Sequence, residues 1–355
     1  MRVLHAADFG GTAGGGFVPL IAALARRLTA RGDAFALAVP QVAGASWHQT
    51  ARDAGAELHV VSGAREAARF AAAWRPDVLH LHFFGWEVPL TLGLWRSHAR
   101  IYWHAHSTSL RGGIRLSPRS LLKYRGAGAR VTRHIAVSRA VAGELAARGA
   151  ARARIIVVPN AVDSARFRPP SGDERRAARA ALGLGTEPAI LFYGRDPHLK
   201  GADLLAGALG LLPGTTVVAV ATPEDARSTL AQHARVVSIE RTDDVRPLLA
   251  AVDALAMPSR GEGSPLAFIE AALSGVPIAA SDLPALREAG AGRERIWYAA
   301  LGDDPALAAA LRDALASSRF TPAAPPYDPG DWAARIAEVY DGARSSGGVR
   351  ARHGG

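Results

Sequence analysis

Two carboxylates eight residues apart, Glu262 and Glu270, flank an expected helix start in the run Pro258-Ser-Arg-Gly-Glu-Gly-Ser-Pro-Leu-Ala-Phe-Ile-Glu270. Ser264 suits an N-cap, Pro265 the first helical position, and Gly275 before Val-Pro a stop. The pattern predicts a helix over 265–274 whose only charged residue is Glu270. A carboxylate on a helix that is otherwise apolar must find a partner or give up its charge. Glu270 is therefore a candidate for holding a ligand. At 1.5 Å per residue it lies roughly 7 Å along the helix, close to an end whose free N–H groups and dipole favour an anion. A phosphate at that end and a sugar hydroxyl at Glu270 would belong to one nucleotide. A solvated loop carboxylate and a structural ion pair satisfy the same spacing.

A second group of candidates is cationic. Arg195 and Lys200 flank the turn Tyr193-Gly-Arg-Asp-Pro-His-Leu-Lys-Gly201. A planar guanidinium fork and a point-charge ammonium in one turn can clamp a diphosphate, although a solvated turn reads the same way. Two His-x-His pairs, His80/His82 and His104/His106, fall at the ends of apolar runs. On a strand each pair shares one face, so two pairs could chelate zinc. Histidines at strand ends more often meet substrate or local partners, so no metal ligand set is assigned, and His106 is the one singled out. With zero cysteines, disulfides, thiolate nucleophiles and cysteine zinc sites are excluded.

The elements that must position these groups alternate. Val3 to Ala6 reads as a strand, Asp8 to Gly16 as a glycine-rich loop, and Phe17 to Ala30 as a helix with Leu20, Leu24 and Leu28 on one stripe. This is a βαβ opening, but Val39-Pro-Gln41 lacks the acidic residue that a nicotinamide or flavin site wants at the end of the second strand. Short apolar runs at 35–39, 58–61, 77–82, 100–103, 135–138 and 155–158 continue the series. After the polar, proline-bearing stretch Arg166 to Asp173, a second series gives strands at 189–193, 216–220, 235–239, 254–257 and 276–280. Strict alternation argues for parallel, doubly wound sheets with ligands beyond the carboxyl ends of their strands. A length of 355 residues independently suits two domains of about 150 to 180 residues.

Composition narrows the partners. Net charge is +10 with 49% hydrophobic and 6% aromatic residues. The basic residues are dispersed and no nucleic-acid module is present, so nucleic acid is not an expected partner. The segment from Ser117 to Arg133 carries Arg119, Lys123, Arg125 and Arg130 among Leu121, Leu122 and Tyr124. It could rest on an anionic membrane, though Gly126 and Gly128 interrupt it and a solvated face fits better. No apolar stretch reaches the 18 or so residues of a membrane span, and no signal-peptide order opens the chain. A cytoplasmic protein, at most peripheral on the inner membrane face, is expected.

Taken in order, the pieces resemble the family-4 retaining glycosyltransferases of the GT-B fold. The likeness rests on Gly15-Gly16 before a Leu-Ala helix, His106, Val-Ser138, Val-Pro-Asn160-Ala-Val-Asp163, Gly-Arg195 with Lys200-Gly, the E-x7-E pair Glu262/Glu270, and a closing segment with Trp332 and Tyr340. It implies an α/β protein with two Rossmann-like doubly wound domains, a cleft between them and a C-terminal helix crossing back to the first. The expected division is an acceptor-side domain over 1–165, a linker and entry helix over 166–185, a nucleotide-sugar domain over 186–325, a closing helix over 326–342 and a disordered tail over 343–355.

The resemblance also implies roles. Arg195 and Lys200 would hold a diphosphate and Glu270 the ribose hydroxyls, while Glu262, Gly263, Ser264, Pro265 and Leu266 would meet the donor sugar and phosphate. Gly15, Gly16 and His106 would approach the donor from the N-terminal side, with Arg195, Lys200, Glu262 and His106 as the catalytic set. Asp8, His82, Ser138 and Asn160 are acceptor-side candidates. The implied activity is transfer of a sugar from a UDP- or GDP-sugar to a hydroxyl of a glycan, lipid-linked or small-molecule acceptor. Retention and metal independence are expected, with no cofactor. A nucleotide-sugar epimerase or phosphorylase on the same fold, or a non-catalytic donor-binding or membrane-surface protein, are the alternatives. Ala161 in place of the family's glycine, Ser238-Ile-Glu-Arg241 at the expected base position, and Ser264-Pro265 after Glu262-Gly leave base, sugar and acceptor open.

Overall fold

The structure is a computed structural model that describes residues 1–9, 15–42, 45–83, 85–108, 117–322 and 328–345. Parts of the expected glycine-rich loop, the proline-rich passage near 322–329 and the expected disordered tail from 346 onward lie outside the described residues. The chain forms two compact units. One comprises Met1–Ala161 together with the C-terminal helix, and the other Val162–Pro326.

In the first unit, β1 (Arg2–Ala7), β2 (Ala34–Pro40), β3 (Glu57–Val61), β4 (Val78–His82), β5 (Arg100–Ala105), β6 (Arg133–Ala136) and β7 (Ile155–Val157) pair in the order β3-β2-β1-β4-β5-β6-β7. All pairings are parallel. The inner strands, buried on both faces, read as near-continuous apolar runs, as in Ala-Phe-Ala-Leu-Ala-Val-Pro of β2. One face packs Leu20, Leu24 and Leu28 of the helix Phe17–Ala30 with Trp332, Ile336 and Tyr340 of the C-terminal helix. The other face gathers Trp74, Leu90, Leu94 and Trp103. The C-terminal helix runs Pro329–Ser345, three residues past the expected end at 342, and it is an integral layer of this unit.

The second unit has β8 (Ala189–Tyr193), β9 (Thr216–Val220), β10 (Arg235–Ile239), β11 (Ala254–Met257), β12 (Ile278–Ser281) and β13 (Ile296–Ala299). Their order is β10-β9-β8-β11-β12-β13, again parallel throughout. Both sheets are thus doubly wound, with strand order reversing between β1 and β4 in one and between β8 and β11 in the other. Such a reversal opens a crevice beyond the strand ends where ligands sit.

The expected basic helix from Ser117 is a broken one. Pro118–Leu121 is α-helical, Leu122–Gly126 widens to a π turn and Ala127–Arg130 tightens to 3-10. Two of its four cations turn inward: Lys123 pairs with Glu87 at 2.9 Å, and Arg130 donates to the carbonyls of Trp95, Ser97 and Ala99, while Arg119 and Arg125 are exposed. Among the described residues no helix is long and apolar enough to cross a membrane.

Candidate functional site

The ends of β8 and β11 bring the cationic turn to the two carboxylates. Asp196 caps the one-turn helix Pro197–Lys200 by accepting from Leu199 N, which fixes where Lys200 projects. Lys200 Nζ donates to Glu262 Oε1 at 2.6 Å, and Ser259 Oγ donates to the same oxygen at 2.7 Å. Glu262 is buried, so this pair holds a charge that solvent would otherwise have to hold. Arg260 fastens the two loops from outside. Its backbone N–H donates to Leu199 O, and its guanidinium to His198 O and, bidentately, to Asp203. Arg195 of the same turn is exposed.

The helix after β11 runs Leu266–Leu273, with Pro265 rather than Ser264 in the capping position and no side-chain cap bond. Proline sets its own φ and brings no N–H, so it starts the helix without a side-chain cap of its own. Phe268, Ile269, Ala271, Ala272 and Leu273 are buried and Glu270 is partly exposed. Burial pushes the Glu270 carboxyl up to about 7, with the Arg166 guanidinium drawing it partway down. Beside it the Tyr193 hydroxyl is buried and makes no hydrogen bond among the described residues, and burial and the Glu270 charge push that phenol up. A cavity of about 120 Å³ is lined by Phe192, Tyr193, Lys200, Ser259, Glu262 and Leu266 among others. Tyr193 and Ser259 were not in the expected set. Their signal was position alone, Tyr193 as the last residue of β8 and Ser259 two residues after β11.

The first unit presents a different assembly at its own point of strand reversal. Parallel register sets His5 of β1 opposite His80 of β4, and His82 opposite His104 of β5. His5, His80, His82 and His104 are buried, and His106 is partly exposed. They bond to one another and to Tyr340 of the C-terminal helix. Tyr340 Oη lies 2.8 Å from His5 Nε2 and 2.5 Å from His80 Nδ1. His5 Nδ1 meets His82 Nε2 at 2.8 Å, His82 Nδ1 meets His106 Nε2 at 2.9 Å, and His80 Nε2 meets His104 Nδ1 at 3.1 Å. Burial holds His5 and His106 down to about 3, and His80, His82 and His104 well below the usual imidazole range, so all five are neutral at pH 7.

The acceptor-side candidates are placed as follows. His82 has both nitrogens engaged within the cluster. Ser138 is buried and accepts from Val141 N as the cap of the helix Arg139–Ala147. Asp8 is exposed beside Gly85, and Asn160 is partly exposed. Gly15 and Gly16 lead into the helix Phe17–Ala30 with Gly15 at φ 50°.

Residues 14–166 match the family described as Glycosyltransferase Family 4, and residues 187–317 the family described as Glycosyl transferases group 1. The D-inositol 3-phosphate glycosyltransferase of Jonesia denitrificans is 36% identical over 157 residues, 38% of this chain and 37% of that protein. The protein of the same name from Segniliparus rotundus is 30% identical over 244 residues, 60% of this chain and 53% of that one. The chain thus matches about half or less of the length of these curated relatives. The crystal structure of Anabaena HepE in complex with UDP and glucose is similar at a TM-score of 0.77 with 17% identity, covering 96% of this chain and 100% of that one.

Proposed function

The chain belongs to the family-4 glycosyltransferases of the GT-B fold, and from that membership we propose that it is a retaining enzyme transferring a sugar from a UDP-type nucleotide sugar to an acceptor hydroxyl. The observation that carries this reading is the convergence of Lys200 and Glu262 on one cavity at the carboxyl ends of β8 and β11, with Glu270 behind it acting on the lining residue Tyr193. The UDP bound to HepE supports the choice of donor.

Breaking the bond between the anomeric carbon and the diphosphate leaves negative charge on the departing phosphate oxygen. Lys200, Arg195 and the backbone N–H groups from Gly263 to the helix start are the positive groups for it, and they need no reorganisation at the moment of reaction. Glu262 holds Lys200 in place and meets the sugar, while Glu270 accepts from the ribose hydroxyls. On the retaining path the acceptor oxygen bonds to the anomeric carbon from the face the phosphate leaves, and its proton passes to the departing phosphate oxygen. Positioning then supplies much of the remaining acceleration, with no metal in the step. The family resemblance assigns His106, Gly15 and Gly16 to donor recognition and Asp8 and Asn160 to acceptor recognition, and the proposal keeps those roles.

The test is a melting-temperature panel of UDP-, GDP- and ADP-sugars on the full chain, since a ligand that binds the folded state raises apparent stability by mass action. A uridine nucleotide sugar should raise it, and Glu270→Ala should remove the rise. A folded protein that no nucleotide sugar stabilises would sink the proposal.

Glu270 also sets a pH dependence. Two ribose hydroxyls are accepted best by the ionised carboxylate, which with a free-protein value of about 7 is a minority at pH 6 and the majority at pH 8. UDP affinity should therefore rise about tenfold from pH 6 to pH 8, as the ionised fraction does. Calorimetric titration at both values checks this, with Glu270→Gln expected to be weaker and flat.

A further inference from the structure

The histidine cluster of the first unit holds a proton pattern that it cannot complete alone. A neutral imidazole has one N–H and one lone pair. The five bonds run in a single line, His104–His80–Tyr340–His5–His82–His106, along which the donors either all point one way or converge from both arms on Tyr340 Oη. Whichever way they point, His104 Nε2 is left buried without a hydrogen-bond partner among the described residues. A buried polar atom left in that state is costly, and each such atom calls for an explanation.

One nitrogen of each of His82, His104 and His106 lies within 4.8 Å of the other two. We propose that these three side chains bind a divalent transition-metal ion of the zinc class, through His82 Nδ1, His104 Nε2 and His106 Nε2. Three imidazole nitrogens are a recurrent zinc ligand set, and a fourth position is then left for water or a substrate oxygen. At a metal–nitrogen distance of about 2.0–2.1 Å, tetrahedral ligands lie roughly 3.3 Å apart. His82 Nδ1 and His106 Nε2, now 2.9 Å apart, need separate by only a few tenths of an ångström. Neutral imidazole is the ligating form.

The rest of the line supplies what metal-binding histidines need behind them. With the ion in place, His82 Nε2–H donates to His5 Nδ1 and His104 Nδ1–H donates to His80 Nε2. His5 Nε2–H and His80 Nδ1–H then converge on Tyr340 Oη, which has two lone pairs to receive them. Both arms point away from the ion, the arrangement that fixes tautomer and ring orientation at such sites. Phe17 and Phe83 stand against His82 and His106 as an apolar wall. Ligation through Nε2 leaves His106 with its proton on Nδ1, so the ion also fixes that nitrogen as a donor.

The experiment is zinc and cobalt binding by the full chain, purified without a polyhistidine tag and stripped with chelator. One equivalent per chain should bind, and cobalt should give the visible absorption of a four- or five-coordinate nitrogen site. His106→Gln, at a partly exposed position, and His104→Gln should lose that equivalent. Tyr340→Phe removes the shared acceptor of both arms, and should keep the stoichiometry while weakening zinc about 10- to 100-fold. His59→Gln, which alters a histidine paired with Glu57 on the surface, should bind as the wild type does. Failure of the stripped wild type to bind one equivalent overturns the proposal, as does zinc uptake that survives in folded His104→Gln and His106→Gln. None of these readouts requires a nucleotide sugar, so they stand or fall apart from the glycosyltransferase reading.

Discussion

Replacing Lys200 by alanine is expected to lower kcat by about 10²- to 10³-fold, the usual cost of removing one preorganised positive group from the place where transition-state charge develops. Interpreting that loss requires separating charge stabilisation from structure, because Lys200 also neutralises the buried carboxylate of Glu262 at 2.6 Å. In Lys200→Ala, Glu262 loses its ammonium partner and retains the Ser259 hydroxyl. Leaving a buried charge without its counterion destabilises the fold, here by about 1–2 kcal/mol because Lys200 is partly in solvent. Adding Glu262→Gln removes the stranded charge, so the double variant should regain melting temperature while turnover stays low. Recovery of turnover along with stability would mean that Lys200 acts only as a structural counterion. Arg195, exposed and without that geometric constraint, should cost about tenfold as alanine, since exposed charges are screened. Single-turnover assays with a UDP-sugar, read beside thermal melts, distinguish these cases.

What the sequence disclosed of this site follows from how local each feature is. The Glu262/Glu270 spacing is readable because both residues belong to one loop and one helix. The Lys200–Glu262 pair is not, since 62 residues separate the partners and only the placement of β8 beside β11 joins them. The His-x-His pairs announce a shared face by alternation, yet the participation of His5 depends on parallel register with β4. Tyr340 enters from a helix 260 residues beyond His80. Seven strands of the first sheet were legible as apolar runs, whereas the second series showed only five of its six. The missing one, β13, is a four-residue edge strand behind Arg293-Glu-Arg295, with three of its residues only partly buried, and it offers too short a run to outweigh its charged flank. Ser264 lost the capping position to Pro265 because a hydroxyl preference is weak beside the fixed φ of proline.

Gly201 is the residue through which those distant parts meet, and Gly201→Ala is expected to cut donor turnover about 100-fold, the effect of moving a catalytic group by roughly 1 Å. It lies between Lys200 and the helix Ala202–Leu209 at φ 72°, a left-handed conformation that costs a residue with a Cβ about 1–2 kcal/mol. Space is the stronger constraint. A Cβ built there would stand 2.1 Å from the carbonyl oxygen of Pro258, in the backbone of the very loop that carries Ser259 and Glu262. Backbone cannot rotate aside as a flexible side chain can, so one of the two loops must withdraw. The bonds that register them, Arg260 N–H to Leu199 O and Lys200 to Glu262, are on either side of the contact and would lengthen together. The variant should fold, because the contact lies at the loop end of the second sheet, where its apolar layers are reached only by Met257 and Ala202. Its signature is a fall in kcat with a smaller change in UDP affinity, since Glu270 is held by a different helix. Equal losses in both, or wild-type kcat, would show that the glycine serves the turn and not the registration of Lys200 on Glu262.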